Sequence, residues 1–133
     1  MNKKAKKLYN QNWALCHDIV EERDGKACVI PGCGNRVVDL DHCITRKARL
    51  TFYEVEILNY VCKKHHTRKS FNPGNWVAHM VSEITRKRIG SKRLDELFEI
   101  SRGTCYGWST IWYQEEQNQK LKELLEYYKV RNV

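Results

Sequence analysis

No run of about 18 apolar residues occurs in the chain, the minimum that a membrane-spanning helix needs. The basic N-terminus is not followed by an apolar core of roughly 7–15 residues, so no secretory signal is expected. Proline is scarce, and both copies sit in turn signals, Pro31-Gly32 and Asn72-Pro73-Gly74. Internal repeats and low-complexity linkers are also missing. The 133 residues therefore read as one domain, long enough to bury about two-thirds of its unfolded surface. Hydrophobic residues at 41% against charged residues at 30% exclude a disordered chain. Acidic residues are in deficit: 16 Asp plus Glu stand against 24 Lys plus Arg, a net charge of +8. That excess favours a polyanionic partner, nucleic acid first.

Six cysteines without an export signal need an explanation other than disulfides. Cys28 and Cys33 lie in CVIPGC, and Cys62 and His65 lie in CKKH. The Pro31-Gly32 turn lets the first two thiols point into one space. Four soft or borderline ligands in two short clips match a closed structural Zn²⁺ site. Cys16, Cys43 and Cys105 have no such spacing and read as core packing.

Residues 1–8 carry Lys3, Lys4, Lys6 and Lys7 and read as a mobile basic arm. Tyr9, Trp13, Cys16, Ile19 and Val20 recur at helical spacing over 9–24, where Asp24-Gly25 ends the helix. A strand-like run closes on Asp41-His42, and LNYVC at 58–62 reads as the returning strand. A short helix follows from His65. The segment 75–89 predicts a helix with Trp76, Val77, Met80, Val81 and Ile84 on one stripe and Gly90 as its stop. Ser91 is placed as the cap of the next helix, whose buried face is Leu94, Leu97 and Phe98. From Ser109 to about Val130 the pattern is a long polar helix, whose polar stretch from Gln114 to Gln119 argues that it projects at least partly from the body and whose narrow apolar stripe of Leu121, Leu124, Leu125 and Tyr128 is either a dimer surface or packs on its own core.

Inside the frame of the two Cys clips sit Asp41-His42, Asn59 and His66. A hairpin crossed by a helix would gather them beside the zinc ligands. Adjacent residues on a helix point about 100° apart, so His65 can face the zinc while His66 faces the cleft.

These residues resemble the HNH, or His-Me finger, nucleases: DLDH, an Asn, and CKKHHTRK in that order. From about residue 13 to 129 the chain is further similar to the lambdoid phage NinG/Rap recombination proteins, through CVIPGC, VVDLDH, CKKHHTRKS, WSTI and QKLKELL. The zinc-framed layout is also similar to the phage endonuclease VII resolvases. The fourth zinc ligand, His65, stands where those proteins usually have Cys. Both Asp39 and Asp41 are acidic, and side chains two apart on a strand share a face, so either could hold a metal. Asp41 is favoured, with Asp39 as a supporting or alternative ligand.

The resemblance implies a small α+β fold: a zinc-stapled ββα-metal core over about 26–70, decorated by helices over 75–131, within a nuclease domain spanning 9–133. It also implies a phosphodiester hydrolase. His42 would act as the general base, and Asn59 would orient it. Asp41 and His66 would hold one catalytic Mg²⁺ or Mn²⁺. Arg46, Lys47, Arg49, Lys63, Lys64, Arg68 and Lys69 would contact DNA phosphates. The expected substrate is branched DNA such as a Holliday junction, cut by a homodimer in the cytoplasm, that of the bacterial host if the chain is phage-encoded. A restriction or homing-type enzyme on plain duplex, and a non-catalytic zinc module that binds DNA, are the alternatives. No membrane partner is expected.

Overall fold

The computed structural model of the protein describes residues 1–71 and 76–132, with residues 68–71 described in backbone alone. The Asn72-Pro73-Gly74 turn and the side chains of Arg68 and Lys69 lie outside the described residues. Within them the chain is α+β, with five helices and a two-stranded antiparallel sheet. The order is α1 (Lys3–Asp24), β1 (Val38–His42), short 3-10 turns at Arg49–Thr51 and Val55–Ile57, β2 (Leu58–Cys62), α2 (Lys63–Phe71), α3 (Trp76–Ile89), α4 (Ser91–Ser101) and α5 (Ile111–Arg131). Among the described residues no helix is long and apolar enough to cross a membrane.

Helix α1 begins at Lys3 rather than at Tyr9. The Asn2 side chain accepts the Ala5 N–H at 2.9 Å, an N-cap that satisfies one of the orphan amides of the first turn. The segment expected as a mobile arm is therefore helical from Lys3. Ala5 is fully buried, and the four lysines around it are exposed.

The strands pair with Leu40 opposite Tyr60, Asp41 opposite Asn59 and His42 opposite Leu58. Alternation along the strands then gives the sheet two different faces. Leu40, Leu58 and Tyr60 join Cys16, Ile19 and Val20 of α1 and Leu121 and Leu125 of α5 in one buried cluster. Val61, on the other face, packs with Val77 and Val81 of α3 and with Ile30 and Cys28. A third cluster joins Leu94 and Leu97 of α4 to Ile44 and Ile57.

Helix α5 lies along α1, although its first half is polar. Asn12 donates through Nδ2 to the Gln114 carbonyl at 3.0 Å and to its Oε1 at 3.1 Å. The Tyr53 hydroxyl donates to the same Oε1 at 2.7 Å, and Asn118 Nδ2 donates to Asn12 Oδ1 at 2.9 Å. Asn12, Gln114 and Asn118 are buried because each meets a partner. The helix thus does not project from the body, and Leu121 and Leu125 are buried in the protein's own core rather than forming a free dimer stripe.

Three smaller expectations are corrected as well. Gly90, not Ser91, stands at the N-cap of α4, with no side-chain cap bond. Phe98 is 38% exposed, so the buried face of α4 is Leu94 and Leu97. Trp76 and Met80 are exposed, and the buried face of α3 is Val77, Val81 and Thr85.

Candidate functional site

The first clip is a loop shaped by glycine. Gly32 and Gly34 take φ of +79° and +66°, a region costly for any residue with a Cβ. The Cys33 N–H reaches the Ile30 carbonyl at 3.1 Å, and the Cys28 N–H reaches the Asn35 carbonyl at 2.8 Å. The Val29 N–H donates to the Tyr60 carbonyl at 2.8 Å, which moors the clip to β2. Cys62 ends β2 and His65 lies in the first turn of α2, so the strand-to-helix junction delivers the second pair of ligands.

The four ligand atoms of Cys28, Cys33, Cys62 and His65 lie within 4.8 Å of one another. Cys33 Sγ and Cys62 Sγ are 3.8 Å apart, and Cys28 Sγ and His65 Nδ1 are 3.6 Å apart. A tetrahedral zinc with bonds of about 2.3 Å to sulfur and about 2.0 Å to nitrogen would set these edges near about 3.8 and about 3.5 Å. The donor set and its spacing therefore fit a zinc-sized ion. Cys62 Sγ sits nearer His65 Nδ1, at 3.2 Å. Burial pushes the Cys28 thiol up, whereas at Cys62 the raising effect of burial is outweighed by the amides of His65 and Lys64 and the neighbouring thiols, and the thiol falls below its ordinary value. One edge of the cluster is closed by Trp76, whose ring meets the His65 imidazole edge-on at 5.7 Å.

Beside this cluster, Asp41 and His66 approach each other, with His66 Nε2 3.4 Å from Asp41 Oδ1. Asp41 is buried and His66 is half-exposed. Asp39 lies on the same face of β1 but is exposed. The carboxylate that stands beside a second metal-type ligand is thus that of Asp41.

His42 follows Asp41 at the strand end and leaves the backbone on the opposite face. Its ring stacks on Trp13 at 5.3 Å, with the planes 9° apart, and lies 4.7 Å from the Phe52 ring. His42 Nε2 is 3.0 Å from the Phe52 carbonyl oxygen, which can only accept, so Nε2 carries the proton and donates it. In its neutral form the imidazole then carries its lone pair on Nδ1.

Asn59 does not hold the loop that carries His42. It is fully buried, donates through Nδ2 to Thr85 Oγ1 at 3.0 Å and accepts from Arg88 Nη1 at 2.8 Å. Its amide ties β2 to α3. The Trp13 ring and the Phe52 carbonyl hold the His42 imidazole. The structure thus brings Asp41 and His66 together beside the Cys/His cluster, keeps His42 adjacent across the strand, and directs Asn59 elsewhere.

Arg46, Lys47 and Arg49 are exposed on the loop after β1, and Lys63 and Lys64 are exposed at the start of α2. The latter two line a shallow groove with Asn35, Val37 and Thr67. Cys16 is fully buried in the core, and burial pushes its thiol well above the usual range. Glu115 and Glu116 are exposed and face Lys4 and Lys120, at 3.9 and 3.6 Å.

The sequence pattern marked Trp13 as helix stripe but gave no reason to place it on His42. Nothing local marks the Phe52 carbonyl, Thr85 or Arg88, whose roles come from pairings 10 to 29 residues away along the chain. No family model, curated protein or solved structure matches the chain.

Proposed function

We propose that the protein is a metal-dependent DNA endonuclease of the HNH type that hydrolyses phosphodiesters in branched recombination intermediates such as Holliday junctions. The observation that carries this reading is the approach of Asp41 and His66 to 3.4 Å at the strand end that also bears His42. A buried carboxylate and an imidazole form a mixed oxygen and nitrogen set suited to Mg²⁺ or Mn²⁺. Asp41 and His66 would hold such an ion, which supplies charge neutralisation at the scissile phosphate and at the leaving 3′-oxygen. His42, with its proton fixed on Nε2 by the Phe52 carbonyl, keeps Nδ1 basic to take a proton from the attacking water. Stacking on Trp13 fixes the plane of that imidazole. The exposed Arg46, Lys47, Arg49, Lys63 and Lys64 meet phosphates.

The preference for branched DNA rests on the resemblance to the NinG/Rap proteins. It carries with it a homodimer, since a four-way junction offers two equivalent strands to two sites related by a two-fold axis. The contact surface of that dimer is not the Leu121–Leu125 stripe, which the core occupies.

A non-catalytic zinc module that binds DNA is the second reading, and the burial of His42 favours it. At 8% exposure between Trp13 and Phe52, His42 also has the surroundings of a core histidine. Incubating the protein with a four-way junction, a flap and a linear duplex, with Mg²⁺ or with Mn²⁺, separates the readings. Symmetric nicking of the junction supports the proposal, equal cutting of the duplex points to a restriction or homing-type enzyme, and no cleavage with retained binding leaves the module.

A further inference from the structure

The two most exposed aromatic side chains among the described residues lie close together in the chain. Tyr106 is 83% and Trp112 is 59% exposed. Both belong to the connection from α4 into the first turn of α5. Trp112 is seated rather than loose: an added Cβ at Gly107 would fall 2.6 Å from its Cζ2, so the absent side chain of Gly107 makes the space its ring occupies.

This turn is continuous with the candidate catalytic strand end. Trp112 meets Tyr113 at 6.0 Å, Tyr113 meets Trp108 at 5.8 Å, Trp108 meets Phe52 at 4.8 Å, and Phe52 meets His42 at 4.7 Å. The loop after β1 lies against the same rings. The Arg49 guanidinium sits 4.8 Å above Trp108 and 5.3 Å from Phe52. Arg46 and Lys47 are exposed beside it in the chain. Helix α1 adds Lys6, whose ammonium lies 4.7 Å over Tyr9, itself edge-on to Trp108 at 6.3 Å. The surface therefore combines open aromatic faces with cations in a protein of net charge +8.

That combination is what unpaired nucleotides require: a ring face for the base and a cation for the phosphate. A fully paired duplex hides its base faces in the stack and offers little to Tyr106 or Trp112. We propose that Trp112 and Tyr106 form a stacking platform for unpaired DNA bases, with Arg46, Lys47, Arg49 and Lys6 holding the adjoining backbone. This rests on the nuclease reading and deepens it. The platform would select DNA whose strands part, as they do at a junction or flap, and present the neighbouring phosphate a few nucleotides away at His42.

The test is binding without divalent metal, so that cleavage plays no part. Wild-type protein is titrated into a blunt duplex and into the same duplex with a short single-stranded tail carrying 2-aminopurine. The expected result is tighter binding of the tailed DNA with a change in 2-aminopurine fluorescence. Trp112→Ala with Tyr106→Ala is expected to lose about tenfold in affinity for the tail and to leave the duplex unaffected. Trp112→Phe should recover part of the loss. Unchanged tail binding in the double variant overturns the platform, as does an equal loss on tail and duplex. In a parallel assay with Mg²⁺ or Mn²⁺, junction cleavage that persists beside unchanged tail binding removes this inference alone, whereas tail stacking with no cleavage in that assay removes the nuclease reading alone.

Discussion

Replacing Cys62 by Ser is expected to cost the protein a large part of its stability. Cys62 is 1% exposed and packs in the cluster of Cys28, Ile30, Val61, Val77 and Val81. Its thiol is one corner of the four-ligand set, and the clip on the opposite side carries no helix or strand between Gly25 and Val37. A structural zinc contributes an apparent binding energy of about 10–16 kcal/mol, against a total stability of about 5–15 kcal/mol for a domain. Serine is a poor zinc ligand, so three ligands remain. A loss of about 3–5 kcal/mol follows even if the ion stays bound weakly, which at this chain length lowers the melting temperature by more than about 10 °C. Elemental analysis of purified wild-type protein should find about one tightly bound zinc per chain. Thermal unfolding should show a chelator lowering the wild-type midpoint by more than it lowers the Cys62→Ser midpoint. Because the ligands bind as thiolates and neutral imidazole, this stabilisation should fade as pH falls. A folded, metal-free wild-type protein that melts at the same temperature with and without chelator would refute the reasoning.

Gln114→Leu should destabilise the protein by about 2–4 kcal/mol, because Tyr53 and Asn12 lose their shared acceptor in a buried site. Denaturant titration reads this, and a change below about 0.5 kcal/mol would mean that the network between α1 and α5 is dispensable. His17 supplies a pH signature. Burial, opposed by Asp39 and Asp18, holds its imidazole below the usual 6.5, so the unfolded chain takes up a proton first as pH falls. Stability linked to this group is complete above about pH 6.5 and is lost as pH drops toward the lowered folded value. His17→Gln should therefore narrow the difference in melting temperature between pH 7.5 and pH 5.5 relative to wild type; an unchanged difference would dismiss the linkage.

What was legible in the sequence was local. The strands at 58–62 and up to His42 follow from short apolar runs, and the Cys28/Cys33/Cys62/His65 cluster follows from spacing within two clips, because a turn or a strand-to-helix junction fixes both members of each pair. Long-range polar pairing was not legible. The polar stretch from Gln114 to Gln119 read as part of a projecting helix, yet Gln114 and Asn118 are buried because Asn12, more than a hundred residues away, answers their hydrogen bonds. Asn59 read as an orienting group for His42, yet Thr85 and Arg88 of α3 reach it first. The N-terminal lysines read as an arm because charge hides the capping signal at Asn2, while Ala5 is small enough to be buried among them.

The most direct measurement is single-turnover cleavage of a four-way junction by wild type and by His42→Ala, with junction affinity measured in parallel. His42→Ala removes the imidazole and leaves Arg46, Lys47, Arg49, Lys63 and Lys64 in place. The expected result is a rate lower by about 10²–10⁴, with affinity for the junction unchanged. Cleavage by His42→Ala at close to the wild-type rate would contradict the assignment of His42 as the base.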